Sequence, residues 1–341
     1  AGPGGLSAAA VLASRGASVL VLEQGDEPGG YCRTADIEGY RFDTGPSAFT
    51  GLSPGGPLHA LFLALNQEIR LKDENLIRPL EPGPQVLLPE GRITLYPEFS
   101  RLMEELEREH PQCVRLMDRI YPMLLTCGDE IRGAPDGHRT GGASPASTLR
   151  LRWLTQRLKS HNRFMEYLKV FSRLFSPGEP HLNSSTIIHL LHNLFSPFYL
   201  FRNGSSGLPE FLVNSIRVSG GEINFGARVD GLLREGDRVT GVVATLESVQ
   251  EQITAGTVIA GALPRRNDGD FLSESEMNAI GKRTPEMLPF TLLLGVKEEA
   301  LPEPLSPLAL TRLEGAVPQA AGGLLRLSLS PKWQEDWAPK N

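Results

Sequence analysis

Ala1-Gly2-Pro3-Gly4-Gly5-Leu6 opens the chain, and with Ala9, Gly16 and the run Val21-Leu22-Glu23 it reads as a dinucleotide-binding fingerprint without its front end. A full fingerprint, G-x-G-x-x-G, follows a buried first strand; here that strand and the first glycine would lie before Ala1, so the chain reads as a fragment. Each small residue has its own task. Gly2 lets backbone approach a pyrophosphate and Gly5 lets the following helix pack closely on the sheet, with Gly4 between them in the same cofactor-binding run. Gly16 ends that helix before a strand over 17–22, and the helix N-terminus aims amides and positive dipole density at phosphates. Glu23, where the strand ends, can accept hydrogen bonds from ribose hydroxyls.

The next stretch separates one dinucleotide from another. Gly29-Gly30-Tyr31-Cys32-Arg33-Thr34 is followed by Gly39-Tyr40-Arg41-Phe42-Asp43-Thr44-Gly45-Pro46-Ser47. The glycine pair permits close backbone approach, and Arg33 offers a cation for a diphosphate or flavin; its plain alternative is a surface arginine beside an acid. These segments resemble the phytoene desaturase and carotenoid isomerase family of FAD-dependent oxidoreductases, where a G-[FY]-x-F-D-x-G-P-[ST] pattern is typical. The resemblance implies FAD rather than a nicotinamide cofactor, and it adds Gly45, Pro46 and Ser47 to the cofactor-binding set. A later stretch, from Gly204 through Leu208-Pro209 and a helix to Gly220-Gly221, then strands over 229–234 and 239–245 joined by Glu235-Gly236-Asp237, is similar to the family's second FAD segment. The resemblance gives Val229 a backbone contact with adenine; as a bare residue it is equally a strand core position.

The implied fold class is α/β, a Rossmann-like FAD-binding domain interleaved with an α+β substrate domain. Its expected parts are an FAD segment over 1–80, a mostly helical substrate segment over 81–202, a second FAD segment over 203–265 and a truncated substrate segment over 266–341. Within them, 58–65 reads as a short helix and 85–96 as a hairpin turning at Pro89 to Gly91. Phe99, Leu102, Met103 and Leu106 recur at helical spacing with charges on a solvated face, and His110-Pro111 breaks that helix from one through Val114, Met117, Ile120 and Tyr121. Residues 132–147 read as a loop, 258–260 as a buried strand, 290–296 as a substrate-domain strand and 333–341 as an interrupted domain.

Composition narrows the function. With 341 residues, 40% of them hydrophobic, the chain can bury sizeable cores. A net charge of -6 argues against a nucleic-acid protein, since phosphate binding wants an excess of clustered Lys and Arg. Cys32, Cys113 and Cys127 are too few and scattered for a disulfide framework or zinc site and fit a reducing compartment, cytoplasmic or plastid-like. His189 and His192 share a helical face but lack a third ligand at suitable spacing, so no metal is expected. The run from Ile187 to Phe201 is either a buried helix or a lipid-facing tunnel wall, the latter giving membrane association without a transmembrane span.

No Ser-His-Asp set, carboxylate pair or metal cluster stands out, and no catalytic residue is assigned. A bound flavin would account for that, since the cofactor carries the chemistry. The resemblance implies an apolar polyene substrate, dehydrogenated by hydride transfer to flavin or isomerised with its help. A flavin amine oxidase and a non-catalytic remnant of the fold are the two alternatives, and the oligomeric state is left open.

Overall fold

The computed structural model describes residues 1–132, 145–175, 182–236, 238–261, 290–302, 305–312, 324–331 and 334–338. Along the chain run α1 (Pro3–Ser14), β1 (Leu20–Leu22), β2 (Thr34–Ile37), β3 (Tyr40–Asp43), α2 (Pro57–Ala64), β4 (Ile77–Pro79), β5 (Gln85–Leu88) and β6 (Gly91–Thr94). Helices α3 (Phe99–Glu109), α4 (Pro111–Arg132), α5 (Pro145–Leu158), α6 (Asn162–Ser172) and α7 (Ser184–Leu194) follow. Then come β7 (Tyr199–Phe201), α8 (Gly207–Val218), β8 (Glu222–Asn224), β9 (Arg228–Glu235), β10 (Arg238–Leu246), β11 (Val249–Thr254), β12 (Leu308–Arg312) and β13 (Leu324–Ser328). The chain divides into two compact units: Ala1–Pro46 with Leu61–Arg70 and Phe201–Thr284, and Ser47–Ala60 with Leu71–Leu200 and Pro285–Asn341.

In the first unit, α1 starts where Pro3 presets a helical backbone and buries Leu6, Ala9, Ala10 and Ala13. Small alanines let it pack closely along α8, which turns Leu208, Leu212, Val213 and Ile216 inward. Gly16, at φ +84, ends the helix and donates to the Ala13 carbonyl, a conformation that costs a side chain but not glycine. β1 then pairs in parallel with β8. β2 and β3 form an antiparallel pair, and β9, β10 and β11 a three-stranded antiparallel sheet with β10 central. Phe62 and Phe211 stack with ring centroids 4.4 Å apart.

The second unit centres on a sheet in the order β13-β12-β5-β6, in which β12 lies parallel to β5 while the other pairs are antiparallel. Helices α3 to α7 share with it one core that includes Val86, Leu102, Met117, Leu158, Phe171 and Leu191. Gln85 and Thr94, buried at its edge, bond to each other and to the chain around them. Gln85 donates to Thr94 Oγ1 (3.2 Å) and accepts from the Ser306 amide (2.9 Å).

One open alternative is decided and three expectations change. The run from Ile187 to Phe201 is core, not a lipid-facing wall: Ile187 and Leu191 are fully buried, Phe198 is 5% exposed, and the run ends in β7 rather than continuing as helix. Residues 258–260 form no strand and Ile259 is 55% exposed, because no ladder partner stands beside them among the described residues. Residues 290–296 are likewise irregular, with Phe290 92% exposed. Of the expected 132–147 loop, Arg132 ends α4 and 145–147 are the first turn of α5; 133–144 lie outside the described residues, as do Asp237, residue 333 and 339–341. Among the described residues no helix is long and apolar enough to cross a membrane, and no three His, Cys, Asp or Glu side chains gather to hold a metal.

Candidate cofactor site

The first unit brings Gly2, Gly4, Gly5, Glu23, Gly30 and Arg33 to one place. Gly2 caps α1 in an extended conformation and its carbonyl accepts from the Leu6 amide at 3.0 Å, the first bond of the helix. Pro3 carries no N–H, so the amides of Gly4 and Gly5 are the donors that the first turn leaves over. A Cβ at Gly2 or Gly4 would meet nothing within 4 Å, so the space in front of the helix start is open. Gly5 looks the other way: its Cβ would lie 3.4 Å from Gly261 Cα, so the backbone at 261 runs directly against this side of the helix.

Glu23 follows β1 and is 7% exposed. The pairing of β1 with β8 fixes it, since its amide donates to the Asn224 carbonyl (2.9 Å) and its carbonyl accepts from the Ala227 amide (2.8 Å). Its Oε1 accepts from the Gly25 amide at 2.8 Å, while Oε2 is paired with the Ala1 amino group. Val229 lies two residues beyond Ala227 at the start of β9, half-buried opposite Ala244.

The chain returns to the helix start through the glycine pair. Gly29 donates to the Ala1 carbonyl (2.9 Å), and Gly30, at φ +56, stands so near that its Cβ would be 3.2 Å from Gly2 Cα. Arg33 reaches back to the Glu27 carbonyl through Nη2 (3.1 Å), but its Nε is buried without a hydrogen-bond partner. A guanidinium N–H held out of water with no acceptor is costly, and an anionic ligand is one remedy. Open space ahead of unpaired helix amides, a glycine cradle, a buried carboxylate and this orphaned cationic donor fit a dinucleotide.

Gly45, Pro46 and Ser47 behave differently. A Cβ on Gly45 would sit 2.0 Å from the Tyr31 carbonyl oxygen, so this glycine makes room for the neighbouring loop. The Pro46 carbonyl accepts from Ser205 Oγ (2.6 Å), and Ser47 Oγ bonds Ser328 Oγ (2.9 Å) in the second unit. Asp43, quoted in the motif but not singled out, accepts at Oδ1 from the Ser205 amide (2.6 Å) and Thr34 Oγ1 (3.1 Å).

The second unit holds polar groups that no local pattern of residues marks. His110, expected only as a helix break, is fully buried edge-on to Phe164 and Tyr167, at centroid distances of 5.7 and 4.9 Å. Neither of its ring nitrogens nor the Tyr167 hydroxyl has a hydrogen-bond partner. Burial, helped by Arg163, lowers the imidazole pKa to about 4; burial and then Glu109 push the Tyr167 phenol up to about 12. Burial also drives Cys113 up to about 12, an inert thiol. Glu105 departs from the solvated face expected of its helix: it is buried, accepts from the Thr94 amide (2.9 Å) and chelates Arg108 through two bonds of 2.8 Å. His189 is exposed and His192 half-buried.

The chain is 28% identical over 288 residues to a zebrafish (Danio rerio) protein named inactive all-trans-retinol 13,14-reductase, covering 76% of this chain and 46% of that one. It is 27% identical over 261 residues to the lycopene-forming phytoene desaturase of Pantoea ananas (71% and 51% covered). It is 25% identical over 303 residues to a component of the limonene dehydrogenase of Castellaniella defragrans (83% and 54%). The chain thus spans about half the length of these curated relatives. Residues 3–265, from the helix that begins the glycine cradle to just past Gly261, match the flavin containing amine oxidoreductases, and the chain belongs to that family.

Proposed function

We propose that the protein is an FAD-dependent oxidoreductase acting on a long apolar isoprenoid, a polyene or its reduced counterpart. The observation that carries the cofactor is the orphaned Arg33 Nε beside the Gly2–Gly30 cradle and the buried Glu23. Gly2, Gly4, Gly5 and Gly30 would leave the diphosphate room against backbone, with α1 contributing amides and dipole. Glu23 would take the ribose hydroxyls, Arg33 a phosphate charge, and the strand start at Val229 the adenine. Gly45 and Pro46 would shape the loop beside them. Bound flavin supplies a two-electron partner for hydride transfer at an allylic C–H.

The substrate class is supported by what the relatives' names share: retinol, phytoene and limonene are all isoprenoids. Such compounds dissolve in lipid, so the protein would collect its substrate at a membrane surface. The test is the absorbance spectrum of the purified protein together with product analysis. Flavin bands, and a change in double-bond number in an offered isoprenoid, are expected. Release of aldehyde and peroxide from an amine, with no effect on isoprenoids, would replace this substrate class by an amine, and a colourless protein would reject the cofactor.

A further inference from the structure

The chain carries a net charge of -6, yet residues 137–165 contain no Asp or Glu and hold Arg139, Arg150, Arg152, Arg157, Lys159 and Arg163. Helix α5 lies in this stretch. It commits Leu151, Leu154, Thr155 and Leu158 to the core of the second unit, which fixes its other side toward solvent. At about 100° per residue, Leu149 and Trp153 fall together on the solvent crest, with Arg150 and Arg157 along one flank and Arg152 along the other. Leu149 is 65% and Trp153 54% exposed, although a leucine and a tryptophan are costly to leave in water. Among the described residues Arg150, Arg152 and Arg157 have no ion-pair partner; Arg157 lies over the Trp153 ring, 4.9 Å from its centroid.

We infer that the outer face of α5 is a docking surface for an anionic lipid bilayer, with Leu149 and Trp153 entering the interface and Arg150, Arg152 and Arg157 engaging lipid phosphates and carboxylates. An acidic soluble partner would satisfy the arginines but leaves the apolar crest unexplained. A neutral bilayer would accept the crest and leave the cations without counter-charges. An anionic bilayer satisfies both at once, because tryptophan settles at the headgroup boundary while arginines spread laterally to the charges. The inference rests on the proposed apolar substrate only for its purpose, since vesicle binding and flavin chemistry are read out separately.

The test is co-sedimentation of the purified protein with vesicles of phosphatidylcholine alone and of phosphatidylcholine mixed with phosphatidylserine. Binding is expected to the mixed vesicles, to weaken as NaCl rises from about 0.1 to about 0.5 M, and to fall roughly a hundredfold in the Arg150→Glu/Arg152→Glu/Arg157→Glu variant. Trp153→Ala should lose about tenfold. A control with the same charge change in the first unit, Arg15→Glu/Arg217→Glu/Arg238→Glu, should keep most of the affinity. Equal binding to both vesicle types, equal losses in the two triple variants, or retention of the protein by polyglutamate but not by vesicles would each overturn the assignment. Should the α5 triple variant fail to fold, Trp153→Ala and the salt series on the unaltered protein still decide it. A protein that binds vesicles but holds no flavin would refute the proposed function and leave this surface standing.

Discussion

Acid should unfold this protein through His110, and the size of the effect follows from its surroundings. The imidazole is fully buried, neither nitrogen is hydrogen-bonded, and its pKa falls from 6.5 to about 4. Desolvation is the main cause; Arg163 and His161 repel the charged form and Glu109 opposes them without prevailing. Because the folded value lies below the unfolded one, the unfolded chain binds the proton first. Its contribution to stability is therefore whole above about pH 6.5 and disappears as the pH falls through about 4. The difference between the two values amounts to about 3 kcal/mol over that window, at up to about 1.4 kcal/mol per pH unit. Carboxylates titrate in the same range, so the measurement must be a difference. Urea unfolding of the unaltered protein and of His110→Leu at pH 7, 6, 5 and 4.5 isolates the imidazole. At pH 7 the variant should be within about 1 kcal/mol of the original, since lost ring contacts offset the removal of two unpaired polar atoms. It should become the more stable of the two as the pH drops. A stability difference that stays flat from pH 7 to 4.5 would refute the reasoning and mean that the ring is hydrated or charged in the folded state.

Three further outcomes follow from the sites described. Glu23→Gln should weaken FAD binding about tenfold or more through loss of charge-assisted bonds, read by flavin titration of the apoprotein; an unchanged Kd would remove Glu23 from the ribose site. Gly45→Ala places a methyl 2.0 Å from the Tyr31 carbonyl, so the purified protein should contain markedly less flavin and melt several degrees lower, and normal values of both would contradict the packing of that loop. Glu105→Ala strips the Thr94 amide of its buried acceptor and should cost about 1 to 3 kcal/mol in urea unfolding; a loss confined to high pH or low salt would instead point to the exposed Arg108 pair.

What could be read from the sequence was whatever depends on near neighbours. The end of α1 at Gly16, Glu23 just past β1, and the turn between β5 and β6 each follow from the backbone needs of a few consecutive residues. What depended on distant partners could not. Residues 258–260 and 290–296 have strand-like composition, but a strand exists only by its ladder, and neither has a partner among the described residues. Periodicity put Glu105 on the polar face of α3 and gave no hint that the Thr94 amide would arrive there to be satisfied. The burial of His110 was hidden for the same reason. Its neighbours Phe164 and Tyr167 come from α6, more than fifty residues on, and no local pattern announces them.

The hydrogen bonds made by Asp43 and Pro46 give part of the cofactor signature a structural task of its own. Asp43 Oδ1 receives the Ser205 amide and the Thr34 hydroxyl, Ser205 Oγ returns to the Pro46 carbonyl, and Thr34 Oγ1 also lies 3.0 Å from the Asn203 carbonyl. These bonds tie the strand pair β2–β3 to the turn before α8 across about 160 residues of intervening chain. Closing so long a loop is entropically unfavourable, and charge-assisted bonds in a partly buried position offset that cost locally. The fixed turn positions α8, which packs on α1, so the glycine cradle inherits its geometry from Asp43 at second hand. Asp43→Ala should therefore destabilise the protein by about 2 to 3 kcal/mol in urea, and flavin content should fall in step with stability. Asp43→Asn, which keeps an oxygen acceptor for the Ser205 amide, should recover a good part of both. Loss of flavin from Asp43→Ala with unfolding unchanged would show instead that this carboxylate contacts the cofactor directly.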